Sequence, residues 1–176
     1  MGVDKALIRL DGVPMAVRVA AALEAAGATT VTALGGDVAA LRAAGLTSLA
    51  DRKPGEGPLA AIVHALDVAG EAAAVVVLAC DLVRPDAAAI ETVVSALAAA
   101  DADLAVPVVD GRPQWLHAVW NRRVSGVLAA LHGAGERSVA GAVGGLRVLH
   151  VDGLDARFTV DADTPDDLPP DADTRA

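Results

Sequence analysis

A strand predicted at 73–79, with a run of five apolar residues at 75–79, ends directly in Cys80-Asp81 and limits the possible folds more than any other feature of the chain. The run is continuously apolar rather than alternating, which is typical of a strand covered on both faces in a parallel sheet. Helical spacing precedes it over 59–68 and follows it from 85 or 86 to 99. Further core strands are expected at 104–108 and 146–151. Strands alternating with helices predict an α/β three-layer domain with a mostly parallel sheet.

The remaining elements follow from turn and capping residues. Pro14 and Gly27 bracket a helix, and Gly35-Gly36 closes a strand at 29–34. We expect a short helix at 37–44, a brief strand at 46–50, a loop at 51–58, a strand at 115–120, and helices at 122–131 and 137–143. On one strand, Trp115 and Trp120 would face opposite sides. We interpret His64 and His132 as helix-surface residues and Cys80 as a small buried hydrophobe.

The length and composition limit the class of protein. A chain of 176 residues fits one domain, which we place at 1–168, followed by a loosely held acidic, proline-rich tail at 169–176. The net charge of −9 and the lack of a Lys/Arg cluster argue against nucleic acid as a partner. Cys80 is the only cysteine, so no intrachain disulfide is possible. Without an apolar run of about eighteen residues or a signal-peptide pattern, we expect a cytoplasmic protein without a membrane span.

Several short motifs occur in a fixed order along the chain. They are Gly2-Val3-Asp4-Lys5, Leu10-Asp11-Gly12-Val13-Pro14, Asp51 with Gly55-Glu56-Gly57-Pro58-Leu59-Ala60, Cys80-Asp81, Arg112-Pro113-Gln114-Trp115-Leu116-His117-Ala118, Gly135-Glu136-Arg137-Ser138, and Asp161-Ala162-Asp163-Thr164-Pro165. Together they resemble the molybdenum cofactor guanylyltransferase family, within the wider group of Rossmann-like nucleotidyltransferases. The first motif is similar to the end of that group's LAGGxSxRMGxDK loop. We therefore expect an in-frame strand and LAGGxSxR upstream of Met1.

The resemblance implies a Mg²⁺-dependent enzyme that transfers GMP from GTP to molybdopterin cofactor and releases pyrophosphate. It also implies proteins that receive the finished cofactor. Asp161-Ala162-Asp163 stands where many guanylyltransferases have two asparagines and is closer to the cytidylyltransferases. A cytidylyltransferase, a nucleotidyltransferase for another small phosphate, and a non-catalytic nucleotide-binding module therefore remain alternatives.

Carboxylates near strand ends are the predicted metal ligands. Mg²⁺ prefers one or two carboxylates together with phosphate oxygens and water, and Asp81 directly follows the apolar strand. Asp163 is the second candidate and Asp161 a weaker one. The alternative is structural: Asp81 would be a turn or cap residue, and Asp163 would cap a helix that starts at Pro165.

The remaining candidate residues concern the nucleotide. Lys5 would supply a point charge to the phosphates, although it can also be an ordinary surface lysine. Arg112 and Arg137 are weaker candidates for binding an anion. The resemblance places Gly2, Asp51, Gly57, Pro58 and Leu59 at the nucleotide, with Asp51 accepting the N1–H and N2–H₂ donors of guanine. A solvated loop aspartate and a simple helix entry explain Asp51 and Gly57-Pro58 comparably well.

Overall fold

The computed structural model of the protein describes residues 4–162 and residue 168. Gly2, Asp163 and the predicted tail at 169–176 lie outside the described residues. The chain forms two compact units. The first comprises Met1–Ala50, Ala79–Glu91 and Asp155–Ala176, and the second comprises Asp51–Leu78 and Thr92–Leu154. The single domain at 1–168 stays a prediction, and each unit is described by itself.

The first unit begins with a 3-10 helix at Lys5–Leu7 and a short antiparallel hairpin. The strands β1 (Arg9–Leu10) and β2 (Val13–Pro14) flank a turn at Asp11 and Gly12, where both residues have positive φ. Helix α1 (Met15–Ala25) follows, and then β3 (Ala33–Leu34), α2 (Val38–Ala43) and β4 (Ser48–Leu49). Strands β3 and β4 pair in parallel, as expected for a crossover through α2.

The second unit contains a five-stranded sheet. Its strands are β5 (Ala74–Val76), β6 (Leu104–Val109), β7 (Arg112–Pro113), β8 (Val119–Asn121) and β9 (Val148–Val151). Strand β6 pairs in parallel with β9, whereas β8 runs antiparallel between β5 and β6. The three strands β5, β6 and β9 therefore share one direction, and β8 is reversed between two of them.

Helices cover both faces of this sheet. Helices α3 (Pro58–Val68), α5 (Ser125–Gly133) and α6 (Val139–Ala142) share a buried cluster with Leu104, Val106 and Trp120. The end of helix α4 (Ala87–Ala99) packs instead with Ala105 and Val119. Successive strand residues point to opposite faces, so this alternation produces three layers. The α/β class and the layered arrangement are confirmed.

Three expectations about particular residues are wrong. Residues 75–79 are not fully buried, because β5 lies at the end of the strand order, and among residues 4–162 it pairs with β8 alone. Trp115 does not share a strand with Trp120, since residues Trp115–His117 form a 3-10 helix ahead of β8. Cys80 is exposed rather than buried. Within the described part of the chain, no helix is long and apolar enough to cross a membrane.

Candidate functional site

Lys5 and Asp81, which are 76 positions apart in the sequence, come together in the first unit. Lys5 is the first residue of the 3-10 helix, and its Nζ lies 3.7 Å from Oδ2 of Asp81. The lysine side chain is 32% exposed and the aspartate side chain 20%, so both remain accessible to a ligand. An ammonium beside a partly exposed carboxylate supplies a phosphate contact and a metal ligand at neighbouring points.

Backbone hydrogen bonds connect the residues around Asp81 to the segment 160–162. Asp81 O accepts a hydrogen bond from the backbone N–H of Ala162 at 3.0 Å, and Leu82 forms an antiparallel bridge with Asp161. Val83 N donates to Val160 O at 3.0 Å. This short ladder brings Asp161 alongside the Cys80-Asp81 turn. Sequence reasoning placed Asp161 and Asp81 in one site, and the structure brings them together.

Asp4 is a member of the same cluster that sequence reasoning did not select. Its Oδ1 accepts from Ala6 N at 3.1 Å, and its Oδ2 accepts from Asp37 N at 2.8 Å, which ties the 3-10 helix to the start of α2. A Cβ on Gly36, which has a φ of +68°, would lie 2.7 Å from this Oδ2, so the site requires glycine there. The position of Asp4 next to Lys5 in the motif was the available signal.

The raised pKa of the Cys80 thiol reflects the negative potential of this cluster. The surrounding protein withdraws the thiol from water, and Asp81, Asp4 and Asp161 add to the effect, so the pKa of Cys80 rises to about 11 although the residue keeps exposed surface. Such a potential favours a cation. Among the described residues, no three His, Cys, Asp or Glu side chains are close enough to form a metal site by themselves. Mg²⁺ needs fewer protein ligands when phosphate oxygens and water complete its shell, so Asp81 and Asp161 fit it.

The loop at 51–57, in the second unit, ends at the start of α3. Gly57 has a φ of +84° and precedes Pro58, which occupies the first turn of the helix. Leu59 is fully buried in the core, so only its backbone can contact a ligand. Oδ1 of Asp51 accepts from Lys53 N at 2.9 Å, which is the turn contact of an ordinary loop aspartate. Asp51 Oδ2 is free of that contact.

Glu56 anchors this loop to the helices behind it. Its Oε2 lies 3.0 Å from Nε2 of His132, 3.2 Å from a guanidinium nitrogen of Arg137, and 3.9 Å from Nζ of Lys53. The contact with His132 is close but is not aligned as a hydrogen bond. Arg137 also donates to the carbonyl of His132 at 2.9 Å. The weaker prediction of Arg137 as an anion partner therefore competes with a structural role.

Sequence reasoning placed two histidines wrongly and did not detect the Glu56 contacts. His64 and His132 are buried, with 6% and 3% exposure, rather than on helix surfaces. Helical spacing could not distinguish the two cases, since each histidine adjoins the apolar stripe of its helix. Arg112 lies in β7 and is exposed, and no ion pair joins its guanidinium to another residue in the described part of the chain.

A sequence profile of the MobA-like NTP transferase domain matches residues 1–151. The chain belongs to this family. It is therefore a nucleotidyltransferase, in agreement with the Lys5–Asp81 pair and the expected motif order. A comparison with curated protein sequences gave no match at the threshold used.

Solved structures support the Rossmann-like nucleotidyltransferase fold. Molybdopterin-guanine dinucleotide biosynthesis protein A from Archaeoglobus fulgidus is 21% identical, with a TM-score of 0.69 over 94% of this chain and 87% of that one. The 2-C-methyl-D-erythritol 4-phosphate cytidylyltransferase from Thermus thermophilus is 18% identical, with a TM-score of 0.73 over 93% and 89%. Rv0371c from Mycobacterium tuberculosis H37Rv is 25% identical, with a TM-score of 0.70 over 95% and 87%. Rv0371c has also been solved as a manganese complex.

Proposed function

We propose that this protein is a cytoplasmic, Mg²⁺-dependent enzyme that transfers GMP from GTP to the phosphate of molybdopterin cofactor and releases pyrophosphate. The observation that carries the proposal is the 3.7 Å approach of Lys5 Nζ to Asp81 Oδ2. This contact brings the last residue of the Gly2-Val3-Asp4-Lys5 motif next to the carboxylate of the Cys80-Asp81 motif. The finished cofactor would then pass to proteins that use it.

The chemistry requires charge neutralisation more than covalent participation. In-line attack on an α-phosphate develops negative charge on the attacking, equatorial and leaving oxygens. Lys5 would bind these oxygens through its ammonium, and Asp81 with Asp161 or Asp163 would hold the divalent ion. When bound, the ion supplies Lewis-acid stabilisation of the phosphoryl oxygens. Asp4 would hold the 3-10 helix, and with it Lys5, in place through its contact with Asp37 N.

The base would be recognised by the loop at 51–57. Asp51 keeps an oxygen beyond its turn contact, and Gly57, Pro58 and the backbone of Leu59 form the N-terminal end of α3. Helix N-termini favour anionic groups, so this end would contact the ligand through its free N–H groups. The Asp161-x-Asp163 motif favours the second candidate function, a cytidylyltransferase of the same fold.

The first test replaces Asp81 with asparagine in protein expressed from the complete coding sequence. We expect Asp81→Asn to lower Mg²⁺-dependent pyrophosphate release by well over tenfold, because it removes a charged metal ligand without changing the volume of the side chain. Pyrophosphate release from GTP, with molybdopterin cofactor as acceptor, is measured under saturating nucleotide.

Asp86→Asn is the matched control. Asp86 also belongs to the first unit, but its Oδ1 accepts the backbone N–H of Ala88 at the start of α4. It should keep full activity, with a small loss of stability. If Asp81→Asn retains activity within about tenfold of the native protein, equal to ~1.4 kcal/mol of transition-state stabilisation, the metal role is rejected.

The second test decides which base is read. Asp51→Ala should weaken GTP binding by about 1–3 kcal/mol, because it leaves the guanine donors without an acceptor, and should barely change CTP binding. Isothermal titration compares both nucleotides on both proteins, and Asp110→Ala, an exposed aspartate in a turn, is the control. Equal binding of GTP and CTP by the native protein would reject the guanine assignment in favour of the cytidylyltransferase.

A further inference from the structure

Helices α3 and α5 face each other across a groove of about 400 Å³ in the second unit. We call it the α3–α5 groove. It is lined by Ala60, Val63 and His64 of α3 and by Gly126, Ala129 and His132 of α5. Its volume is in the range of small-molecule sites. Asp51, Arg52, Lys53 and Asp67 also line it, and of these Asp51 belongs to the predicted nucleotide site.

Small side chains on α5 keep the groove open. A Cβ placed on Gly126 would meet no atom within 4 Å, and Gly126 has an ordinary helical backbone. Glycine is a poorer helix former than alanine, so neither backbone strain nor crowding accounts for it here. Ala129 lies one turn further along the same face. The groove can therefore accept a compact apolar body between the two helices.

A buried polar side chain at the groove indicates that the ligand also carries polar groups. His64 is 6% exposed and lines the groove, and its Nδ1 has no hydrogen-bond partner among the described residues. A buried imidazole nitrogen is costly to leave without a hydrogen bond. A ligand atom in the groove would supply that bond, as donor or acceptor according to the tautomer of the ring.

Charged side chains of both signs line the groove, namely Asp51, Arg52, Lys53 and Asp67. Arg52 forms an ion pair with Asp67 there, and Lys53 Nζ lies 3.4 Å from Nδ1 of His132. Arg52 lowers the pKa of Asp67, and Arg122 and His64 act in the same direction. Of these four charged side chains, Arg52 and Lys53 are the ones that would bind an anionic group.

We propose that the α3–α5 groove binds a small organic anion, with its apolar body between Ala129 and Val63 and its phosphate or carboxylate head at Arg52 and Lys53. His64 makes the in-plane hydrogen bond to the ligand. Asp51, the residue proposed above to accept guanine, lines the same groove, so this site adjoins the proposed base site but does not require nucleotide transfer.

The test measures three probes on the full chain by NMR of the histidine rings. Phenyl phosphate carries both body and head, inorganic phosphate carries the head alone, and benzyl alcohol carries the body alone. We expect phenyl phosphate to shift the His64 and His132 ring signals saturably. The two partial probes should bind at least about tenfold more weakly. Ring signals of the groove histidines distinguish this site from anion binding at Lys5.

Matched variants test the geometry. Ala129→Leu fills the groove with a good helix former and should weaken phenyl phosphate by more than about tenfold while the melting temperature is retained. Gly126→Leu is the second filling variant, should Ala129→Leu fail to fold. Arg52→Gln should weaken the head contact, whereas Arg157→Gln, which breaks a similar exposed ion pair with Asp155, should leave binding unchanged.

Any of the following results would overturn the proposal. One is that inorganic phosphate shifts the ring signals as strongly as phenyl phosphate, which would reduce the site to a surface anion contact. Another is that folded Ala129→Leu or Gly126→Leu binds phenyl phosphate like the native protein. Failure of phenyl phosphate to saturate the ring signals of the native protein would also reject the site.

Discussion

His117 is a buried histidine at the end of the 3-10 helix Trp115–His117, and burial lowers its pKa from the ordinary 6.5 to about 4. The folded state therefore holds the ring neutral, whereas the unfolded chain takes up a proton as the pH falls below 6.5. The stabilisation is complete above the unfolded pKa and is lost as the pH falls toward 4. A pKa difference of this size is worth up to about 3 kcal/mol.

We expect the free energy of unfolding to fall by that order between about pH 7 and pH 4, and His117→Phe to remove most of this pH dependence. Urea unfolding across that range measures the slope. His150→Gln, at an exposed histidine of β9, should keep the native slope. A native-like slope in His117→Phe would assign the acid sensitivity to other groups.

At the scale of single residues, the sequence predicted which charged motif residues lie close together better than it predicted the environments of neutral ones. Lys5 and Asp81 were selected because their chemistry and motif position point to phosphate and metal. Burial of His64 and His132 had no such signal, since histidine is compatible with both a helix surface and a core. Exposure of Cys80 was missed for the same reason: the residue is small and tolerates either environment.

At the scale of elements, Asp103 joins three strands of the second unit where they begin or end. Its carboxylate accepts the backbone N–H of Arg147 and the Nε of Arg123, both at 2.8 Å, and its carbonyl accepts Asn121 N at 2.9 Å. The backbone N–H of Arg147, followed by the two guanidinium groups, lowers the pKa of Asp103. Strands β6, β8 and β9 are therefore fixed to one another at this residue.

We expect Asp103→Ala to cost about 1–3 kcal/mol of stability, because the N–H of Arg147 loses its acceptor. Asp101→Ala is the control, since the Asp101 side chain is 77% exposed and exposed ion pairs contribute about 1 kcal/mol or less. Urea unfolding of both variants gives the comparison. Equal losses in the two would show that the pairing of β9 does not depend on Asp103.

Element types were largely predictable, whereas strand lengths were not. The helices at α2, α3 and α4 agree with the expected spans because proline, aspartate and glycine mark their ends. Strand β5 is shorter than the strand predicted at 73–79, because pairing with β8 covers only Ala74 to Val76. An apolar pattern indicates which residues of a segment are buried, but it does not indicate how many of them pair with a neighbouring strand.

At the scale of the whole molecule, the ordered sequence motifs and the order of strands and helices together indicated the family. The groove between α3 and α5 was not predictable, because it depends on how two helices 57 positions apart along the chain are spaced, from Val68 to Ser125. The division into two compact units likewise has no sequence marker, since each unit is assembled from separate stretches of chain.

Ligand-linked stability tests the proposed function on the whole protein expressed from its complete coding sequence. GTP with Mg²⁺ at about 100 times its Kd should add about 2.7 kcal/mol of stability. For a chain of this size, each kcal/mol raises Tm by about 2–4 °C. Thermal unfolding is measured with GTP, Mg²⁺, both and neither. EDTA should remove the increment, and a GTP shift that is independent of the metal would argue against Asp81 as its ligand.

The reversed position of β8 has a consequence for the timing of folding during synthesis. Val75 of β5 pairs with Trp120, so β5 must wait for 45 further residues before its partner strand exists. At a synthesis rate of about 5–20 residues per second, that interval is about 2–9 s. During this time its valines lie on an unpaired strand edge, which is the kind of segment that chaperones cover. Strand β5 is therefore synthesised well before its partner strand, and its unpaired edge is a site where the nascent chain can pair with another chain until β8 emerges.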